Sequence, residues 1–179
     1  MGLISARLFW APLFWFALQI YSINFMYICP MKILIINGPN LNLVGTREPG
    51  VYGRLSFEDI LDELRRLEAG VHIDYYQSNV EGELIDRIQS ADGIYDGVIL
   101  NAGGYSHTSV AIGDAVAAVR VPVVEVHMSN IFSREAFRHH SYIASQSMGS
   151  ISGFAAGSYY LALLALKNRS ENLFLRRTK

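Results

Sequence analysis

The chain has 179 residues, of which 51% are hydrophobic and 17% charged, so a sizeable core is available and wholesale disorder is excluded. Fifteen Lys and Arg against 16 Asp and Glu leave a net charge of −1, without the basic excess that phosphate-backbone binding draws on, so nucleic acid is not an expected partner. The single cysteine, Cys29, rules out an intrachain disulfide and a cysteine-built metal site, and fits a reducing, cytoplasmic location.

Between Met1 and Pro30 the only charged side chain is Arg7, while both tryptophans, Trp10 and Trp15, lie there. The stretch has neither a positive start nor a small-residue cleavage site, so it does not read as an export signal. Its uncharged span is long enough to cross a bilayer of roughly 30 Å, but Pro12, Gln19 and Asn24 make it a poor membrane anchor. Residues 1–30 are therefore expected to be an apolar extension outside the fold, with the folded protein beginning at Met31. Residues 31–179 are expected to form a single catalytic domain.

Lys32-Ile33-Leu34-Ile35-Ile36, ended by Asn37-Gly38-Pro39, predicts a strand buried on both faces. A long loop follows to about Arg54. Ser56, three residues before Asp59, predicts a capped helix with Ile60, Leu61, Leu64 and Leu67 inward and Gly70 at its end. Residues 71–75 alternate as a strand, and 81–91 predict a helix with Leu84, Ile85 and Ile88 inward. Residues 97–100 read as another buried strand. Thr108 is the expected cap of a helix to Val119, residues 121–126 the fourth strand, and 153–166 the last helix. Strands alternating with helices predict a doubly wound parallel sheet with helices on both faces.

In such a sheet the binding crevice lies beyond the carboxyl ends of the strands. Asn37 and Asn40 follow the first strand, Asn101 the third, and Glu125 and His127 close the fourth. Two apart on a strand, Glu125 and His127 face the same side. They form either a carboxylate-oriented imidazole for proton transfer or a hydrogen-bonded pair at the sheet margin. His107 ends the loop Ala102-Gly103-Gly104-Tyr105-Ser106 at a helix entrance, where backbone amides favour oxygen-rich ligands. Arg134 and Arg138, four apart, would share one face of a helical segment and either grip a hydroxyl or carboxylate or remain solvated.

Arg47 and Tyr52 lie five apart in a loop punctuated by Gly45, Pro49, Gly50 and Gly53, the mix expected of a hinged lid. A guanidinium favours a neighbouring phenolate by about 1–3 pKa units, so the two make either a general base or an incidental loop pair. Lysine occurs only at Lys32, Lys167 and Lys179, none at the expected crevice, which argues against covalent imine chemistry. Neither a GxxxxGK[ST] phosphate loop nor a GxGxxG fingerprint occurs.

Asn37-Gly38-Pro39-Asn40-Leu41-Asn42-Leu43, Arg47-Glu48-Pro49 and Tyr52-Gly53 resemble the opening of type II 3-dehydroquinate dehydratase. So do residues 101–109, Asp114, residues 125–130, and Arg134 with 138–141, and the resemblance runs from Met31 to about Lys167. It implies a flavodoxin-like fold and a hydro-lyase of the shikimate pathway, leading to chorismate and the aromatic amino acids. The reaction would convert 3-dehydroquinate to 3-dehydroshikimate through an enolate, without cofactor or metal. By the same resemblance Tyr52 is the base, Arg47 lowers its pKa, and Asn40 holds the water that steadies the enolate. His127, supported by Glu125, protonates the departing hydroxyl. Asn101 and the backbone amides of Met128 and Ser129 would hold carboxylate and hydroxyls, and His107 and Arg138 the remaining hydroxyls. Asp114 would reach a neighbouring subunit's site, implying trimers assembled into a homododecamer. The competing expectation is a flavodoxin-like flavin or phosphate module, although Asn-Gly-Pro-Asn lacks the hydroxyl-rich character of a flavin phosphate loop.

Overall fold

A computed structural model describes residues 30–45 and 55–170. Five strands, β1 (Met31–Asn37), β2 (Val71–Gln77), β3 (Gly97–Asn101), β4 (Val123–His127) and β5 (Gly149–Ser152), pair in parallel in the order β2-β1-β3-β4-β5. This is the flavodoxin-like doubly wound order, whose switch point falls between β1 and β3. Among the described residues, four α-helices connect or cover them: α1 (Phe57–Leu67), α2 (Glu81–Ser90), α3 (Val110–Ala118) and α4 (Gly157–Ser170).

Period-two alternation along β1 divides the core. Ile33 and Ile35 pack with Phe57, Ile60, Leu61 and Leu64 of α1 and with Tyr159, Leu163 and Leu166 of α4. Leu34 and Ile36 point the other way, onto Leu84 and Ile88 of α2 and Ile112 and Val116 of α3. Removing one such side chain from water stabilises the fold by about 1.5–3 kcal/mol, so a strand with no exposed apolar face takes an interior place in the sheet, between β2 and β3.

The expected capping box is present: the Asp59 amide donates to Ser56 Oγ at 3.1 Å, and the Ser56 amide donates to Asp59 Oδ2 at 2.9 Å. Other details differ from the sequence reading. Leu67 is exposed, whereas Phe57 at the first helical position is buried and stacks on Tyr75 with centroids 4.7 Å apart. The cap of α3 is Ser109 rather than Thr108. Ser109 Oγ accepts from the Ile112 amide at 2.9 Å, while the Thr108 hydroxyl turns back to the Gly104 carbonyl. The last helix starts at Gly157, because residues 153–156 form a turn in which Gly153 (φ 97°) and Ala155 (φ 48°) are left-handed; residues 149–152 before it form the edge strand β5, which the sequence pattern does not announce.

The first strand leaves the sheet through a tight contact. The Gly38 amide donates to the Asn101 carbonyl at 2.7 Å, and a Cβ at Gly38 would sit 2.5 Å from the Ala102 carbonyl oxygen. Only glycine lets the two strand ends approach this closely. Among the described residues, no helix is long and apolar enough to cross a membrane. The extension through Cys29, as well as Arg47 and Tyr52, lies outside the described residues.

Candidate active site

A cleft of about 190 Å³ opens at the carboxyl ends of β1, β3 and β4. It is lined by Asn40, Asn101, His107, His127, Met128, Ser129, Arg134 and Arg138, with Gly103 and Gly104 completing one wall. Three strand ends thus bring polar groups together from positions up to 98 residues apart in the chain.

Each side chain is held by local chemistry. Asn40 has φ 67° and ψ 0°, a left-handed conformation that asparagine tolerates better than most residues, and its amide donates to Asn79 Oδ1 at 2.9 Å. Gln77 ties Asn79 to the Gly38 carbonyl through its amide nitrogen, at 3.2 Å to each. Asn79 carries no signal in the sequence that would mark it as a support for Asn40.

His107 ends a 3-10 turn, Gly103–His107, rather than opening α3 itself. Its Nδ1 lies 2.7 Å from the His140 carbonyl, which can only accept, so Nδ1 carries the proton and Nε2 is the acceptor. The His107 and His127 rings lie nearly parallel, 17° apart, with centroids separated by 5.5 Å. Burial pushes the pKa of His107 below the usual histidine value. The His140 carbonyl opposes that shift, while the positive charges of His127 and Arg138 add to it and Glu125 offsets them in part.

This depression has a testable sign. The unfolded chain takes up a proton on His107 near pH 6.5, and the folded site resists it. Stability associated with neutral His107 is therefore complete above about pH 6.5 and declines as pH falls from there to the lower folded value. His107→Gln is expected to lack this part of the decline. Urea midpoints of both chains between about pH 7 and pH 5 check it, and parallel curves would refute it.

Glu125 is fully buried beneath the cleft. One of its oxygens, Oε1, lies 3.1 Å from His127 Nε2 and accepts from the Ser141 hydroxyl at 2.6 Å. The Ser141 oxygen in turn accepts from the Ile143 and Ala144 amides, both at 3.1 Å. The imidazole nitrogen sits at ion-pair distance but off the direction of an ideal ring N–H bond, so the contact is chiefly electrostatic. Burial alone would raise the Glu125 pKa. His127, with the Ser141 and Ser150 hydroxyls, outweighs burial and holds it below the ordinary glutamate value.

Met128 buries its side chain in the core, leaving its backbone at the cleft. Arg134 and Arg138 do not share a helix, as their spacing had suggested. Arg134 follows the 3-10 turn Ile131–Ser133, and Arg138 lies in a separate one, Ala136–His139. Both contact Glu135, at 3.5 Å and 2.9 Å, which leaves their side chains along the cleft wall. Asp114 is exposed on α3 and does not line the cleft.

The sequence profile described as Dehydroquinase class II matches residues 31–167. The chain is 54% identical over 140 residues to 3-dehydroquinate dehydratase of Geotalea daltonii, covering 77% of this chain and 97% of that one. It is 56% identical over 137 residues to the enzyme of that name from Acaryochloris marina, with 75% and 92% covered. Among solved structures, the type II dehydroquinase of Butyrivibrio crossotus superposes with a TM-score of 0.74 at 41% identity, covering 76% of this chain and 97% of that one. That of Propionibacterium acnes gives 0.72 at 37% identity, covering 75% and 94%. This chain belongs to the class II dehydroquinase family.

Proposed function

We propose that this chain dehydrates 3-dehydroquinate to 3-dehydroshikimate, as a hydro-lyase of the shikimate pathway. The observation that carries this reading is the convergence of Asn101, His107 and the His127–Glu125 pair on one cleft at the strand ends of a dehydroquinase fold. Family membership leaves the flavin-module alternative without support of its own.

In the mechanism we propose, Tyr52 as phenolate takes the proton next to the ketone, and the electron pair moves onto the carbonyl oxygen. Arg47 favours the phenolate, and a water held by Asn40 steadies the enolate oxygen. The enolate then collapses and the ring hydroxyl leaves, taking a proton from His127, so that one water departs and a conjugated ketone remains. Glu125 keeps His127 oriented and balances the charge on its ring. Asn101, with the backbone amides of Met128 and Ser129, holds the substrate carboxylate and hydroxyls. Arg138 and the Nε2 face of His107 hold the remaining hydroxyls.

We read the protein as cytoplasmic and as a homododecamer of trimers. Asp114 supports that assembly, since an exposed carboxylate away from its own chain's cleft suits a role across a subunit boundary. The direct test is ultraviolet absorbance of the conjugated product on adding 3-dehydroquinate to the purified full chain. A steady rise is expected, and a flat trace with correctly folded protein would overturn the assignment.

A further inference from the structure

Beneath the cleft floor, outside its lining, a buried polar chain crosses from the last helix to two strand ends. Tyr159 of α4 is fully buried, and its hydroxyl donates to Asn37 Oδ1 at 2.8 Å and receives the Asn101 amide nitrogen at 2.7 Å. Asn37 and Asn101 are register partners at the ends of β1 and β3, so one hydroxyl bridges the two strands at the switch point.

The direction of this chain of bonds is set by the backbone. The Gly103 amide donates to Asn101 Oδ1 at 3.2 Å, and a backbone N–H cannot accept, so Oδ1 must face Gly103. Asn101 Nδ2 then has to face Tyr159. A phenol carries one hydrogen, so once its oxygen accepts from Asn101 that hydrogen goes to Asn37 Oδ1. One Nδ2 hydrogen of Asn101 is thereby committed downward to Tyr159, and the second is left for the cleft that Asn101 lines. Burial pushes the Tyr159 pKa far above the usual tyrosine value, so the hydroxyl keeps its proton and its orientation across the working pH range.

We infer that Tyr159 is a positioning residue for substrate binding, acting through Asn101: its buried hydroxyl locks the Asn101 amide with an N–H turned toward the bound substrate. The ring supplies packing as well, edge-on to Phe57 with centroids 5.1 Å apart, and phenylalanine would keep that contact. Losing the hydroxyl leaves the Asn101 amide held by the Gly103 bond alone, free to swing about it, and removes the donor to Asn37 Oδ1. Uniform binding suffers more than the chemical step, because Tyr159 touches no reacting atom.

The inference rests on the dehydratase reading and is tested in the same ultraviolet assay on the full chain. Tyr159→Phe is expected to raise KM for 3-dehydroquinate about tenfold while kcat changes less than about threefold. Asn101→Ala should raise KM by itself, and adding Tyr159→Phe to it should raise KM no further, since the second residue acts only through the first. Should Tyr159→Phe fail to fold, Asn37→Ala removes the acceptor while keeping the aromatic core. It should raise KM in the same direction, again with no added effect on the Asn101→Ala background. A lower melting temperature with unchanged KM, or KM effects that multiply in the double variant, would overturn the positioning role while leaving the dehydratase assignment intact. A wild-type chain with no turnover would overturn both.

Discussion

Tyr52→Phe is expected to give a folded, assembled protein whose kcat is lower by about 10²–10⁴, with KM changed much less. The ring is kept and only the oxygen proposed to accept the proton is removed, so the loss falls on the transition state rather than on ground-state binding. Removing the Arg47 charge isolates the other half of the pair. A neighbouring guanidinium stabilises the phenolate by about 1–3 pKa units, so in Arg47→Met the rising limb of the pH–rate profile should move to higher pH by a comparable amount. At neutral pH the rate falls because less phenolate is present, and raising the pH recovers part of it. No such recovery is possible in Tyr52→Phe, and that contrast separates the base from the group that tunes it. A Tyr52→Phe enzyme with near-normal kcat would leave the mechanism without its first step.

The parts of the fold legible in the sequence are those governed by local rules. The run Ile33 to Ile36 needs cover on both faces wherever it sits, and the Ser56–Asp59 reciprocal bonds close within four residues. Residues 149–152 carry a single large apolar side chain, Ile151, and become a strand only by pairing with the end of β4, which a local pattern does not announce. Thr108 and Ser109 are equally good caps in isolation. The choice depends on burial, because Ser109 is buried against Ile112 while Thr108 is exposed.

The candidate site shows the same division. Glu125 and His127 are readable as a pair because strand geometry puts them on one side, and the structure places them 3.1 Å apart. Ser141, which fixes the carboxylate, stands 16 residues away, and Tyr159 stands 122 residues from Asn37 and 58 from Asn101. In sequence Tyr159 is one aromatic in an apolar helix, and only the tertiary fold turns its hydroxyl onto two asparagines. Polar groups that face the crevice are announced by strand ends, whereas the groups that orient them come from wherever packing brings a hydroxyl or carbonyl.

His127→Asn should lose kcat by about 10²–10⁴, because the proposed mechanism has no other group at the end of β4 to protonate the departing hydroxyl. The same change should destabilise the fold, for a reason separable from catalysis. Glu125 is completely buried, and burial favours its neutral form; it is held ionised chiefly by His127, with the Ser141 and Ser150 hydroxyls assisting. Stripping its partner from a buried carboxylate is destabilising, since the survivor keeps its desolvation penalty with less compensation. The wild-type sign follows from the lowered Glu125 pKa: the carboxylate contributes stability above about pH 4.3, the unfolded value, and that contribution is lost as pH falls through the lower folded value. Glu125→Gln removes the charge but keeps the shape. Added to His127→Asn, it should therefore restore a good part of the lost stability while restoring none of the activity. Urea unfolding at neutral pH and the ultraviolet rate, measured on both single variants and the double, give the two readings. A double variant as unstable as His127→Asn would show that the buried carboxylate is not what the histidine compensates, and a His127→Asn enzyme with near-normal kcat would remove His127 as the acid.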